Sequence, residues 1–254
     1  MKVETLENFW NKFDQYAVKA TSGPPMMFRG VSDKTYKLIP SIARDTYDGT
    51  NNNINVLEEQ LMREFKRLSV PVLTQYPKSD FEWQFLAQHY GLPTRLLDWS
   101  SNPLIALFFA VEKDDNKDGM LYIISHQVTD QYELFDYRTA NEKSPSMFAL
   151  QPNQGEVIFI RPKYTDQRYL NQKSIFSCPE NPFKSFNLPT DKLIIKKEWK
   201  YEIRTKLDIF GITHSYVYPG LDGVAKEIKI KYYDPVQKGK VSHIVAENTI
   251  KLPT

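Results

Sequence analysis

The sequence predicts an α+β fold in a single domain spanning residues 1–254. Three observations carry this. Helical spacing dominates the first part, to about residue 90. β-branched apolar runs dominate the sheet-rich part, from about 91 to 254. The two never alternate in a regular βαβ rhythm. No linker-like stretch divides the 254 residues, so one domain is expected rather than two.

The elements follow in order. Residues 3–20 place Val3, Leu6, Phe9, Trp10 and Phe13 near helical spacing, and Thr21 to Pro25 break that helix. Met26 to Gly30 read as a short strand. Residues 31–53 are loop-rich, with Pro40, Gly49 and three consecutive Asn. Asn55 to Arg67 form a second helix on Val56, Leu57, Leu61 and Phe65. Asp80 is the expected N-cap of a third, Phe81 to His89, which Gly91 and Pro93 end. Thr94 to Trp99 are extended. Asn102 or Ser101 caps an apolar helix, Pro103 to Lys113, with Pro103 at the favoured first position. Leu121 to Ser125, Gly155 to Ile160 and Lys192 to Lys196 read as strands, with a short one at Ile175 to Ser177. Lys197 to Phe210 is a helix ended by Gly211. The tail segments Lys226 to Tyr233 and Val241 to Val245 fit either class.

Composition narrows the function classes. Fifteen Tyr, fifteen Phe and four Trp supply ample core area. A net charge of +2 predicts no strong non-specific nucleic-acid binding, which leaves a local basic groove open. The single Cys178 excludes an internal disulfide and a multi-Cys zinc site, as expected of a cytoplasmic protein. Its bland role is a buried thiol. The longest apolar run, Pro103 to Val111, is too short to span a bilayer, so no membrane partner is expected. No P-loop, GxGxxG, HExxH or GxSxG is present, and the four histidines lack metal-ligand spacing, so no metal is expected.

Four polar stretches remain. In Phe28-Arg29-Gly30, an arginine between apolar residues either pairs or grips a carboxylate or phosphate with parallel hydrogen bonds, and Gly30 lets a ligand approach the backbone. The stretch QHYGLPTRLLDWSSNPLIALFFA (88–110) gathers His89, Tyr90, Arg95, Asp98, Trp99, Ser100 and Ser101 before a greasy helix. Arg95 and Asp98 either pair or serve a ligand, one serine is a cap, and the helix amides suit an anion. Gln154-Gly155-Glu156 sets a carboxylate at a strand start. RYLNQKSIF (168–176) holds Gln172, with four hydrogen bonds to place.

FRG (28–30), the 88–110 stretch, the R…Q…F of 168–176 and GITHSYVYPGLDG (211–223) together resemble the FRG domain. The order of these motifs is in turn similar to the ADP-ribosyltransferase superfamily. Those enzymes carry an Arg or His, then a Ser-Thr-Ser or Tyr element, then a Glu, on three strands. The resemblance implies an ADP-ribosyltransferase-like split β-sheet core and NAD as substrate. Arg29 would hold the nicotinamide-ribose side or the diphosphate. Ser100-Ser101 would be the second element, though it reads Trp-Ser-Ser here. Glu156 would be the catalytic acid, with Gln154 two residues before it. The FRG family's third motif lies closer to Gln172, which is the alternative third residue and carries no carboxylate. Ser174 stands where that family usually has Gly. Tyr90 or Trp99 would stack on nicotinamide or adenine.

The implied activity is transfer of ADP-ribose to a macromolecule, by a toxin of a toxin–antitoxin or anti-phage system. RNA or DNA is favoured over protein as acceptor, because Lys184, Lys192, Lys196, Lys197, Lys200, Arg204 and Lys206 cluster with Phe183, Phe186 and Trp199. An antitoxin protein would be a further partner. The alternatives are a non-catalytic binding module and an NAD glycohydrolase.

Overall fold

A computed structural model of the chain describes residues 5–23, 25–44, 54–125, 132–136, 157–162, 166–179, 181–185 and 190–234. The described elements are α1 (Leu6–Ser22), β1 (Met26–Val31), α2 (Ser41–Arg44), α3 (Ile54–Ser69), α4 (Asp80–His89), β2 (Leu97–Ser100) and α5 (Pro103–Val111). They continue with β3 (Gly119–Ser125), β4 (Tyr132–Asp136), β5 (Val157–Arg161), α6 (Gln167–Gln172), β6 (Ser174–Pro179) and β7 (Asp191–Ile195). Last come α7 (Lys200–Ile209), α8 (His214–Val217) and α9 (Leu221–Ile228).

The fold is α+β, as expected. Seven strands form one sheet in the order β4-β5-β6-β2-β1-β3-β7. Neighbours are antiparallel except β4 and β5, which run parallel. The N-terminal part is not wholly helical, because β1 lies inside the sheet with β2 on one side and β3 on the other.

Alternation along the strands divides the core. Met26 and Phe28 of β1, with Leu121 and Ile123 of β3, face a cluster filled by Phe9 and Phe13 of α1, by α5, and by Ile203 and Leu207 of α7. Met27, Tyr122 and Ile124 turn to the opposite face, with Trp99 and Phe159. A third cluster packs Phe81 and Phe85 of α4 and Tyr169 of α6 on Ile158, Ile160 and Phe176. The uniformly greasy α5 is thereby explained: six of its nine residues are buried.

Several boundaries differ from expectation for identifiable reasons. Ser79, not Asp80, caps α4, its Oγ accepting from the Glu82 amide, and Asp80 pairs instead with Lys66. Asn102 caps α5, accepting from the Leu104 amide at 2.9 Å. Lys197 to Trp199 form a 3-10 turn before α7. Lys226 to Tyr233 is helical, first in α9 and then as a π-turn, although Ile228, Ile230 and Tyr232 alternate with polar residues in the sequence. Gln154 and Glu156, and Val241 to Val245, lie outside the described residues.

Candidate functional site

β1 and β2 are joined through one pair, Phe28 opposite Ser100, whereas β1 and β3 match over six. Beside this weak seam opens a cleft of about 780 Å³. That is within the range of small-molecule sites. Arg29 lies next to the seam. Its Nη1 donates to the Asp98 carbonyl across the gap, while its Nε is buried without a hydrogen-bond partner. Burial pulls the guanidinium down to about 10, with Arg44 acting the same way and Asp98 opposing. It stays cationic at neutral pH. A buried N–H that the protein leaves unmatched is a costly feature unless a ligand completes it.

Phe28, Arg29, Gly30, Asp98, Trp99, Ser100 and Gln172 all line this cleft. Three neighbouring strands bring the polar ones together. Arg29 sits on β1, Ser100 on β2, and Gln172 immediately before β6. Ser100 is buried. Its Oγ donates to the Gln172 carbonyl at 2.6 Å and accepts from the Asn102 amide at 2.9 Å. Gln172 donates Nε2 to the Val217 carbonyl at 3.0 Å, tying α6 to α8. The sequence missed Lys37, Arg44, Glu112, Lys113, Arg168 and Tyr218, which also line the cleft. Arg168 and Tyr218 did lie within the quoted motifs, and their rings and charge meet: the Arg168 guanidinium sits 5.1 Å over the Tyr218 ring.

Other expectations are corrected. Arg95 does not pair with Asp98 or reach the cleft. Its side chain is buried against Glu58 and donates to Asn55, and Asp98 accepts from Gln88 instead. Trp99 is unsuited to stacking on a ligand, because its ring is buried against Phe159 and its Nε1 donates to Ser177. Tyr90 ends α4, 71% exposed beside the His89 ring, and His89 packs on Tyr169; neither lines the cleft. Ser101 is exposed, with its amide bonded to the Lys173 carbonyl. Gly30 serves the fold more than a ligand: a Cβ there would meet the Ala106 carbonyl oxygen of α5 at 1.8 Å.

The basic cluster of the C-terminal half is largely committed within the fold. Lys200 is buried, its Nζ donating to the carbonyls of Ser32, Lys113 and Asp114. Arg204 bonds Asp115 and the Val111 carbonyl, and Lys196 and Lys206 sit over Trp199 and Trp10. Phe186 lies outside the described residues. Positive charge gathers at the cleft instead, where Arg29, Lys37, Arg44, Lys113 and Arg168 face two carboxylates, Asp98 and Glu112. Such a concave cationic surface favours an anionic ligand. Cys178 is buried and its thiol is pushed up to about 12 by that burial, which disfavours the thiolate a nucleophile needs. Among the described residues no group of His, Cys, Asp and Glu suits a metal, and no helix is long and apolar enough to cross a membrane.

Two histidines make stability sensitive to pH. Burial holds His89 and His214 below the usual imidazole value, with Arg168 adding to the effect at His89. A lowered histidine binds its proton more readily once unfolded, so stability is lost as pH falls through about 6.5. The carboxylates of Asp33, Glu64, Asp118 and Glu227 are depressed, so their stabilisation persists until far lower pH. Melting curves at about pH 7.5 and about pH 5.5 should show the lower Tm in acid. Replacing both histidines with Asn should flatten that difference.

The fold and the cleft thus define an α+β protein with a cationic groove where two sheet strands part. The family model described as FRG domain matches residues 24–119, a stretch that takes in β1, β2 and the first residue of β3, so this part of the chain is similar to that family. No curated protein and no solved structure matches the chain.

Proposed function

We propose that this protein is an NAD-dependent ADP-ribosyltransferase that modifies a macromolecule, with nucleic acid as the favoured acceptor and a toxin role in a toxin–antitoxin or anti-phage system. The observation that carries the reading is Arg29, which lines a cationic cleft and keeps a buried Nε without a hydrogen-bond partner. A diphosphate supplies the acceptor oxygens that such a guanidinium lacks. The order Arg29 on β1, Ser100 on the adjacent β2 and Gln172 at the end of α6, just ahead of β6, supports the same reading, since it is similar to the three-motif order of the superfamily that the sequence resembles. Acceptor preference now rests on the cleft wall, where Lys37, Arg44 and Lys113 exceed the charge needed for one diphosphate.

The chain's own contributions follow from the geometry. Arg29 binds the diphosphate. The Ser100 hydroxyl fixes the Gln172 backbone, so the β2 and β6 sides of the cleft hold one spacing. The Glu112 and Asp98 carboxylates provide negative charge where positive charge builds on the ribose as the nicotinamide bond lengthens.

The test uses NAD labelled on the adenylate side, incubated with protein and total lysate, followed by separation of protein, RNA, DNA and small-molecule fractions. Label in one macromolecular fraction is the expected result and names the acceptor class. Label in free ADP-ribose alone points to a glycohydrolase, and no consumption of NAD leaves a binding module. Arg29→Ala should weaken NAD binding about 10- to 100-fold, the worth of charged hydrogen bonds. Arg29→Lys should not restore it, because an ammonium lacks the planar fork.

A further inference from the structure

This inference rests on the transferase reading above and concerns its missing carboxylate. Charge that develops on the ribose carbon needs a fixed negative group nearby. Gln172 carries none, and its Nε2 is already committed to the Val217 carbonyl. Asp98 is exposed and engaged by Gln88 at 2.6 Å. Glu112 differs from both. Its side chain is only 8% exposed, yet it lines the cleft. It follows α5 directly, and α5 lies flush on β1 at Gly30, the residue after Arg29. One oxygen, Oε2, accepts from the Tyr218 hydroxyl at 3.0 Å. The other, Oε1, lies 3.8 Å from His214 Nε2, beyond hydrogen-bond reach, and that nitrogen is buried without a partner. A carboxylate fixed through one oxygen, with the second left for a ligand, is pre-organised for work.

We propose that Glu112 is the catalytic carboxylate of this cleft. The bond between ribose C1′ and the nicotinamide nitrogen breaks, and its electron pair leaves with nicotinamide, neutralising that ring. An oxygen or nitrogen of the acceptor forms the new bond to C1′. The proton the acceptor loses passes to Glu112 and from there to water. Tyr218 is a positioning residue that holds Oε2 and so fixes the carboxylate, leaving Oε1 without a hydrogen bond.

The test compares wild-type protein, Glu112→Gln and Glu156→Gln in two readouts, NAD turnover and NAD affinity by calorimetry. Glu112→Gln should slow turnover at least about 100-fold, as loss of an acid–base group does, with affinity changed less than about threefold. If Glu112→Gln does not fold, Glu112→Asp keeps the charge and retracts it by one methylene; it should lower kcat with KM preserved. Turnover of the folded Glu112 variant at the wild-type rate overturns the proposal while the transferase reading stands. Loss confined to Glu156→Gln does the same and assigns the role there. Wild-type protein that consumes no NAD overturns both.

Discussion

Glu58→Leu should destabilise the protein by about 3–5 kcal/mol, a large part of the roughly 5–15 kcal/mol that holds a domain together. Glu58 and Arg95 are 1% and 5% exposed, and Arg95 Nε donates to the Glu58 carboxylate while Nη2 reaches Asn55. Removing the carboxylate strands a guanidinium in a region that also holds Cys178, whose thiol is itself pushed upward by burial. Arg95→Met strands the carboxylate instead and should cost a similar amount. The double variant should lose far less than the sum, because an apolar pair of like volume replaces a paired charge at little net cost. Urea unfolding of the three variants measures this coupling. Additive losses would mean that the two residues act independently. The pair also matters for the cleft. It pins α3 to the segment entering β2, and β2 presents the Asp98 carbonyl and Ser100.

Gly30→Ala should cost about 3 kcal/mol or more, the upper range for overpacking, and lower Tm by about 6–12 °C for a chain of this size. The added Cβ would lie 1.8 Å from the Ala106 oxygen and 2.7 Å from the Ala110 nitrogen, both backbone atoms of α5. No rotamer change relieves such a contact, so the helix must move away from the sheet. Gly119 on β3 meets the same helix, at 2.4 Å from the Ala110 oxygen. Lifting α5 displaces Glu112 relative to Arg29, so turnover should fall along with Tm. A Gly30→Ala protein of unchanged Tm would mean that α5 can shift without loss.

The strand and helix positions were legible where burial is one-sided or complete. β1, α3, α5 and β3 fell close to their expected bounds because period and caps agree locally. Arg29, Ser100 and Gln172 were legible as candidates because polar groups interrupt apolar runs there. The partners were not. Nothing local ties Arg95 to Glu58, 37 positions away, or Glu112 to Tyr218, 106 positions away. In the 88–110 stretch Arg95 is buried against Glu58, Tyr90 is exposed away from the cleft, and Trp99 lines the cleft with its ring held against Phe159. α6 and α8 were missed because six- and four-residue helices are too short to show a period.

The sheet order has a consequence for what can be inherited or exchanged as a piece. The family match ends at residue 119, yet β2 is flanked by β6 and β3 by β7, both drawn from beyond it. Lys200 crosses back from α7 to fasten the loops at Ser32 and at Lys113–Asp114. A fragment cut at the match would expose the unpaired edge of a central strand and lose the fastening of the cleft rim. The matched segment therefore supplies β1, β2 and the first residue of β3 to a seven-stranded sheet whose remaining strands lie beyond it.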